Sequence, residues 1–105
     1  MNLETSIVQQ IRLAAAPSIL WRNNSGSYMK DGYFIRYGVG HPGGSDLIGF
    51  TPRNGIAVFT AIEVKTKTGR ISPEQQNFID VIRRAGGIAG VARSAAEAKK
   101  LIRGY

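Results

Sequence analysis

The fold is decided by the stretch Ile56-Ala57-Val58-Phe59-Thr60-Ala61-Ile62-Glu63-Val64-Lys65. β-Branched and aromatic side chains dominate it and no helix cap precedes it, which predicts a strand near the middle of a sheet. Alternate side chains of a strand point to opposite faces, so Glu63 and Lys65 share one face. A carboxylate and an ammonium on an apolar strand cost free energy unless they are paired or bind a ligand. This combination indicates a functional site.

Composition limits what kind of site this can be. The chain has 105 residues, enough for one domain (residues 1–105) with a single modest core. Fourteen Lys and Arg residues against seven Asp and Glu residues give a formal charge of +7. A basic domain of this kind favours a polyanionic partner, most commonly nucleic acid.

Cysteine is absent, which excludes disulfides, thiolate zinc sites and cysteine nucleophiles. No segment has the length and apolarity of a signal peptide or a membrane span; the longest candidate, Leu13 to Ala16, stops at Pro17. We therefore expect a protein of the reducing cytoplasm with no membrane partner.

The first helix is predicted from apolar residues at helical spacing after an Asn2 cap, and Pro17 ends the pattern. Glu4 lies in its first turn. Its carboxylate either complements the helix dipole or reaches the site around Glu63. The residues alone leave both interpretations open.

The next segment begins with a short strand, Ser18 to Arg22, and a turn, Asn23-Asn24-Ser25-Gly26. From Lys30 to Val39, basic and aromatic residues alternate. This pattern suits phosphate contacts and base stacking, but a hairpin with scattered surface charge would show it equally well.

Asp46 follows a Gly-rich loop, His41-Pro42-Gly43-Gly44-Ser45, and opens a strand that runs to Phe50. A turn at Pro52-Arg53-Asn54-Gly55 separates this strand from the one that carries Glu63. Antiparallel pairing would place Asp46 beside Glu63. Two neighbouring carboxylates repel unless a cation lies between them, and oxygen ligands favour Mg²⁺ or Mn²⁺.

A second helix is predicted from a capping box, with Ser72 as the cap, Pro73 at the first position and Gln75 three residues after the cap. Gln75 is either only the reciprocal cap or also faces the carboxylates. Gly86-Gly87 end this helix.

A strand from Ile88 to Ala92 and a closing helix from Ala95 to Arg103 follow, the latter with a second capping box at Ser94 and Glu97. The predicted order is helix, strands, helix, strand, helix. This is an α/β fold.

The chain resembles the VRR-NUC family of the PD-(D/E)xK nuclease superfamily. The resemblance lies in Gly44-Ser45-Asp46-Leu47, Glu63-Val64-Lys65, Gly69-Arg70-Ile71-Ser72-Pro73-Glu74-Gln75 and Ala85-Gly86-Gly87. It implies a restriction-endonuclease-like core, a mixed β-sheet flanked by helices in the order αβββαβα. Small stand-alone members of the phage type are similar to Holliday junction resolvases and are expected to be homodimers.

Position by position, the resemblance implies that Asp46 and Glu63 are metal-binding carboxylates and that Lys65 is the catalytic lysine. Gln75 matches the glutamine that follows the core strands, and Glu4 matches the acid of the first helix. Ser45 stands where the family has a proline, which leaves the loop less rigid but removes no chemical group.

The resemblance also implies a mechanism. Asp46, Glu63 and the carbonyl of Val64 would hold Mg²⁺ or Mn²⁺, with Glu4 and Gln75 completing the surrounding shell. Lys65 is cationic at neutral pH, so we expect it to stabilise charge rather than to act as a base. His41 lies near Asp46, but a loop histidine is more often structural or solvated than catalytic.

Two functions follow as hypotheses. One is a metal-dependent, structure-selective DNA endonuclease of DNA repair or recombination, a homodimer that nicks four-way (Holliday) junctions without a small-molecule cofactor. The alternative is a non-catalytic basic DNA-binding or recombination accessory protein. In either case the candidate DNA contacts are Lys30, Arg36, Arg53, Lys67 and Arg70.

Overall fold

A computed structural model describes residues 2–104 of the chain. In chain order the elements are α1 (Leu3–Ala14), β1 (Ile19–Arg22), β2 (Gly26–Lys30), β3 (Tyr33–Tyr37), β4 (Leu47–Arg53), β5 (Ile56–Val64), α2 (Pro73–Arg84), β6 (Ile88–Ala92) and α3 (Ala95–Arg103). Four strands form a core sheet in the order β1-β4-β5-β6, and β2 and β3 form a separate two-stranded sheet, which we name the ribbon (residues 26–37).

The core sheet is mixed, as predicted. β5 pairs antiparallel with β4 and parallel with β6, so the strand that carries Glu63 lies inside the sheet. β1 pairs antiparallel with β4 and forms one edge. With the ribbon set aside, the elements follow the expected order αβββαβα.

Two apolar clusters cover the two faces of the core sheet. On one face α1 and α3 pack against the sheet. This cluster includes the fully buried side chains of Ile11 on α1, Leu47 on β4, and Ile62 and Val64 on β5. On the other face α2 packs through Ile79 against Ala61 and Ala89. Because Glu63 lies between Ile62 and Val64 on β5, its side chain points to the α2 face.

The helix caps are largely those that the sequence predicts. Asn2 accepts a hydrogen bond from the Thr5 amide, and Ser72 and Gln75 form the full capping box. At α3 the second capping box is wrong in one half: Ser94 accepts from the Glu97 amide, but the Glu97 carboxylate accepts from the amide of Arg93. With Ser94 fully extended, the amide within reach of that carboxylate is the one before the cap. No helix within residues 2–104 is long and apolar enough to cross a membrane.

The hairpin between β4 and β5 is tighter than predicted. Pro52 and Arg53 are not turn residues; they pair with Ala57 and Ile56. The turn is Asn54-Gly55 alone, with φ of 52° and 77°, the left-handed pair that a two-residue hairpin requires. β4 accepts Pro52 because β1 pairs only as far as Phe50, so that side of the ladder is open.

The ribbon is the main addition to the predicted fold. The stretch from Lys30 to Val39 does belong to a hairpin, which begins earlier, at Gly26: Asp31-Gly32, with φ of 50° and 81°, turns the chain between β2 and β3. The pairing runs from Gly26 opposite Tyr37 to Lys30 opposite Tyr33. Within residues 2–104, β2 and β3 form strand pairs only with each other and not with the core sheet.

Candidate active site

Asp46 and Glu63 meet at one end of the core sheet. Leu47 lies opposite Ile62 in the β4–β5 register, so Asp46, the residue before Leu47, lies opposite Glu63. The Asp46 carboxylate accepts a hydrogen bond of 2.9 Å from the amide of Val64. The structure thus brings together the two carboxylates that the hairpin predicted to be neighbours.

Glu63 is buried, with 2% of its surface exposed, and its two carboxylate oxygens differ. Oε1 accepts a hydrogen bond of 3.1 Å from the Gln75 side-chain amide and lies 3.8 Å from the Lys65 ammonium. Oε2 is also buried, and no residue between 2 and 104 gives it a hydrogen bond. A buried oxygen without a partner costs free energy, so this atom is suited to a ligand.

Gln75 joins the helix cap to the site. Its side-chain oxygen accepts from the Ser72 amide at 2.8 Å, while its side-chain nitrogen donates to Glu63. Gln75 is therefore the reciprocal cap and also faces the carboxylates, which is the second of the two interpretations. Because the cap fixes the amide, the donor that faces Glu63 is oriented by the start of α2.

The pKa of Glu63 is raised from 4.5 to about 8. Burial is the main cause, because it disfavours the charged form, and the neighbouring Asp46 carboxylate adds to it. The Lys65 ammonium lowers the pKa, but at 3.8 Å it does not outweigh the other causes. Without a cation the protonated form of Glu63 is therefore favoured at neutral pH.

The donor set fits a hard divalent cation. In a strand the N–H and C=O of a residue point to the same edge, so the Val64 carbonyl points to the edge where the Val64 amide meets Asp46. Two carboxylates and one carbonyl, completed by water and phosphate oxygens, suit Mg²⁺, which keeps several waters in proteins. Within residues 2–104, no three His, Cys, Asp or Glu side chains are close enough to hold an ion.

Glu4 does not form a three-residue metal-binding group with Asp46 and Glu63. It lies half-buried in the first turn of α1, and its charge is the smallest cause of the raised pKa of Glu63. Its influence on the site is electrostatic in this geometry, and its predicted role as a ligand stays a prediction.

The family model of the VRR-NUC domain matches residues 30–96, more than half of the chain. The chain belongs to the VRR-NUC family. It is therefore a nuclease domain whose substrate is DNA. The matched segment contains Asp46, Glu63, Lys65 and Gln75, while Glu4 precedes it. No curated protein and no solved structure matches the chain.

Two clefts lie beside Asp46 in this VRR-NUC domain. One, of about 390 Å³, is lined by Arg22, Asn24, Tyr37 and neighbouring residues. The other, of about 350 Å³, is lined by the loop from His41 to Gly44 and by the start of α2, including Gln75. His41 is half-buried on the second cleft, and nothing in the geometry gives it a catalytic contact. Asp46 and Ser25 line both clefts, so the two clefts meet at Asp46.

Asn23 is a site residue that sequence reasoning missed. Its side-chain amide donates to the carbonyls of Val39 and Ser45, both at 2.9 Å, and its side-chain oxygen accepts from the Val39 amide at 3.0 Å. Its backbone amide donates to the Asp46 carbonyl at 2.7 Å. These four bonds hold the loop before Asp46, where Ser45 replaces the family's proline. The sequence contains no signal for them, since an Asn in a turn composition is ordinary.

Arg93 supports the loop that follows Lys65. Its guanidinium donates to the carbonyls of Thr66 and Gly69, both at 2.6 Å. Sequence reasoning assigned no role to this residue, because its partners lie far from it in the chain. These bonds hold the loop that begins at Lys65, the residue whose ammonium lies near Glu63.

The five predicted DNA contacts do not form one surface. Lys30 and Arg36 are exposed on the ribbon, on opposite faces, and Lys67 and Arg70 are exposed in the loop after β5. Arg53 lies at the other end of the β4–β5 hairpin, where its guanidinium donates to the Ile102 carbonyl of α3. The structure therefore gives Arg53 a structural contact away from the carboxylates.

Proposed function

We propose that this VRR-NUC domain is a metal-dependent, structure-selective DNA endonuclease that acts as a homodimer on four-way junctions. The observation that carries the proposal is the buried Oε2 of Glu63, which has no partner within residues 2–104 although Gln75 and Lys65 hold the other oxygen. A bound cation would give this oxygen the partner that it lacks. The formal charge of +7 supports a DNA partner.

The metal would be held by Asp46, Glu63 and the carbonyl of Val64. When bound, Mg²⁺ or Mn²⁺ supplies a more acidic water and a polarised scissile phosphate. The chain supplies the placement. The Val64 amide fixes the Asp46 carboxylate, and Gln75 fixes that of Glu63.

Lys65 contributes positive charge where negative charge develops during hydrolysis. Its side chain is 19% exposed, so it is partly desolvated but still open to substrate. A cation in that environment stabilises a charged transition state more strongly than one in bulk water. In the free protein its ammonium lies 3.8 Å from Oε1 of Glu63, and a bound phosphate would share it.

The homodimer is proposed because one site of this kind cuts one strand, and symmetric cuts across a junction require two. An exposed apolar surface supports the homodimer. Ile19, Trp21 and Phe59 lie on the same sheet face as α2, beyond the part that α2 covers, and each is 40% or more exposed. Patches of this kind mark protein interfaces. Native protein should show twice the monomer mass by light scattering, and the Trp21→Glu variant should show the mass of one monomer. A native monomer at every concentration would contradict this assembly.

The test of the enzyme is cleavage of a labelled four-way junction, with linear duplex and single strand alongside, in Mg²⁺, Mn²⁺ and EDTA. We expect paired nicks in the junction with either metal, and none in EDTA or with Asp46→Ala. Cleavage of all substrates at equal rates would contradict junction selectivity but leave the nuclease. Tight binding without cutting in any metal would contradict the nuclease.

A non-catalytic accessory protein is the alternative, favoured by the contact of 3.8 Å between the Lys65 ammonium and Glu63, which can serve structure alone. Such a protein needs no divalent cation, and its affinity for DNA would fall with salt by counterion release. Metal dependence of product formation therefore separates the two functions.

A further inference from the structure

The ribbon has two chemically different faces. Directly opposed residues of an antiparallel pair share a face, and the face alternates along each strand. We name the tyrosine face by its residues: Tyr28, Lys30, Tyr33, Ile35 and Tyr37. The opposite face carries Ser27, Met29, Phe34 and Arg36. The three tyrosines of the ribbon thus fall on one face.

The tyrosine face begins at the active site. Tyr37 lines the cleft of about 390 Å³ that Arg22, Asn24 and Asp46 also line. The next ring, that of Tyr28, has its centroid 6.2 Å from that of Tyr37 at an interplanar angle of 49°. Lys30 and Tyr33, directly opposed, end the face at the tip. A continuous row of polar and aromatic groups therefore leads away from Asp46.

The direction of this row is fixed by Asn23. It bonds Val39, two residues after β3 ends, to Ser45 and bonds its own backbone to Asp46. The base of the ribbon is thereby tied to the residue before the catalytic carboxylate. A molecule bound along the tyrosine face would reach Asp46 in a defined orientation.

The groups on this row match a single nucleic acid strand. Tyrosine rings stack on bases whose faces are open, and each such contact is tolerant of sequence. Arg22 and Lys30, both exposed, can pair with phosphates at the two ends of the row. β3 has five residues, about 17 Å, long enough for a few nucleotides. Duplex DNA keeps its bases stacked on one another, so it cannot use the rings in this way.

We propose that the cleft at Arg22 and Tyr37 and the tyrosine face of the ribbon bind an unpaired DNA strand next to the scissile phosphate. The proposal rests on the proposed nuclease function and specifies its substrate: a junction, flap or fork must present an open strand on this side of Asp46. The opposite face, with Phe34 as exposed as Tyr33 (71% and 73%), takes no part.

The test is equilibrium binding of the native protein to a labelled thymidine oligomer and to a duplex of the same length, in EDTA so that no strand is cut. Tyr33→Ala and Tyr28→Ala should each weaken single-strand binding about tenfold and leave duplex binding unchanged. Phe34→Ala, the matched control on the opposite face, should change it less than about twofold. Tyr33→Phe keeps the ring and should bind like the native protein.

Arg22→Ala should lower the salt dependence of single-strand binding by about one counterion, whereas Arg84→Ala, at the end of α2, should leave it unchanged. Equal loss with Phe34→Ala and Tyr33→Ala, in variants with native circular dichroism, would overturn the proposal. So would tyrosine variants that bind the oligomer as tightly as the native protein does.

Binding in EDTA also separates this proposal from the nuclease itself. Tyrosine-dependent binding without cutting in any metal would leave the single-strand site and remove the nuclease. If the protein cuts DNA but the tyrosine variants bind the oligomer as the native protein does, the nuclease stands and the single-strand site is removed.

Discussion

The carboxylate site and the ribbon are built by opposite means. Glu63 is enclosed by the core, and each neighbouring group is held by contacts from β4, β5 or α2. Tyr33 and Phe34 of the ribbon are more than 70% exposed, and the strands that carry them pair only with each other. A two-stranded ribbon alone is marginally stable in water. The site is thus preorganised by folding, whereas the ribbon leaves its aromatic surface open to a partner.

The difference predicts how the two regions respond to substitution. A change at the site should reduce cleavage while DNA still binds, because the chemistry depends on a few fixed atoms. A change on the ribbon or the exposed loops should reduce affinity while turnover on saturating DNA persists.

Lys65→Ala should have the largest effect. We expect cleavage to fall at least about a hundredfold, because the positive charge at the scissile phosphate is lost, with DNA affinity nearly unchanged. Single-turnover cleavage and a binding titration in EDTA measure the two quantities. Lys67→Ala, two residues further along the same loop, is the matched control: it should weaken binding and flatten its salt dependence. Loss of turnover on saturating DNA in the Lys67 variant would break the division between site and surface.

Gln75→Ala should lower Mg²⁺ affinity or activity about 10- to 100-fold, because the carboxylate of Glu63 loses its oriented donor. It should also destabilise the fold by about 1 kcal/mol through the lost cap. Gln76→Ala serves as the control, because within residues 2–104 the side-chain amide that it removes bonds Asp80 and not the site. Metal titration of cleavage, with thermal unfolding alongside, distinguishes the two losses. Equal metal dependence of both variants would contradict the role of Gln75.

The raised pKa of Glu63 predicts a pH dependence of stability. Between pH 4.5 and about 8 the folded state binds a proton that the unfolded state releases, so without metal stability should fall as pH rises through this range. Its full contribution is present below pH 4.5 and is lost above about pH 8. Thermal unfolding in EDTA measures it, and Glu63→Gln should remove this slope. Parallel curves for both proteins would contradict the raised pKa.

Mg²⁺ competes with that proton, so its affinity should rise up to about tenfold per pH unit until Glu63 is ionised near pH 8. Calorimetric titration with Mg²⁺ at several pH values, or the Mg²⁺-induced rise in unfolding temperature, checks this. Affinity that is constant from about pH 6 to 9 would show that the carboxyl pair carries no such proton.

Asn23→Ala should have the smallest effect on chemistry, because Asn23 joins the two regions without touching the carboxylates. It removes three side-chain hydrogen bonds and should cost about 2 kcal/mol of stability. We expect KM for branched DNA to rise several-fold while kcat changes little, since the ribbon loses its fixed direction. Asn77→Ala, exposed on α2, is the control. A fall in kcat alone would show that Asn23 positions Asp46 rather than the ribbon.

Local patterns made the core predictable. The apolar run of β5, the turn residues between Pro52 and Gly55 and the capping box at Ser72 each act within a few residues. The hairpin predicted Asp46 and Glu63 as neighbours, but the exact register came from the structure: a turn over Pro52–Gly55 would set Asp46 opposite Ala61, and the two-residue turn sets it opposite Glu63. The role of Gln75 was open in the sequence because the cap and the contact with Glu63 use different atoms of one amide.

The ribbon and its anchors were not predictable in the same way. Asp31-Gly32 is a recognised hairpin turn, yet the flanking strands lack the alternation of buried and exposed residues that would define them, since both faces are open. Asn23 and Arg93 act on carbonyls 16 to 27 residues away, and only the tertiary structure determines which carbonyls these are. The exposed apolar surface at Ile19, Trp21 and Phe59 was not predicted either, because only the tertiary structure determines how much of the sheet α2 covers.

The bond between the Asn23 amide and the Asp46 carbonyl has a wider consequence. Since Arg22 and Leu47 are already paired across β1 and β4, the chain between them leaves the core sheet and returns to the point where it left. An excursion closed in this way can change in length or sequence without shifting the register that aligns Asp46 with Glu63. If the ribbon binds DNA as proposed, its contacts can therefore diversify while Asp46 and Glu63 stay aligned.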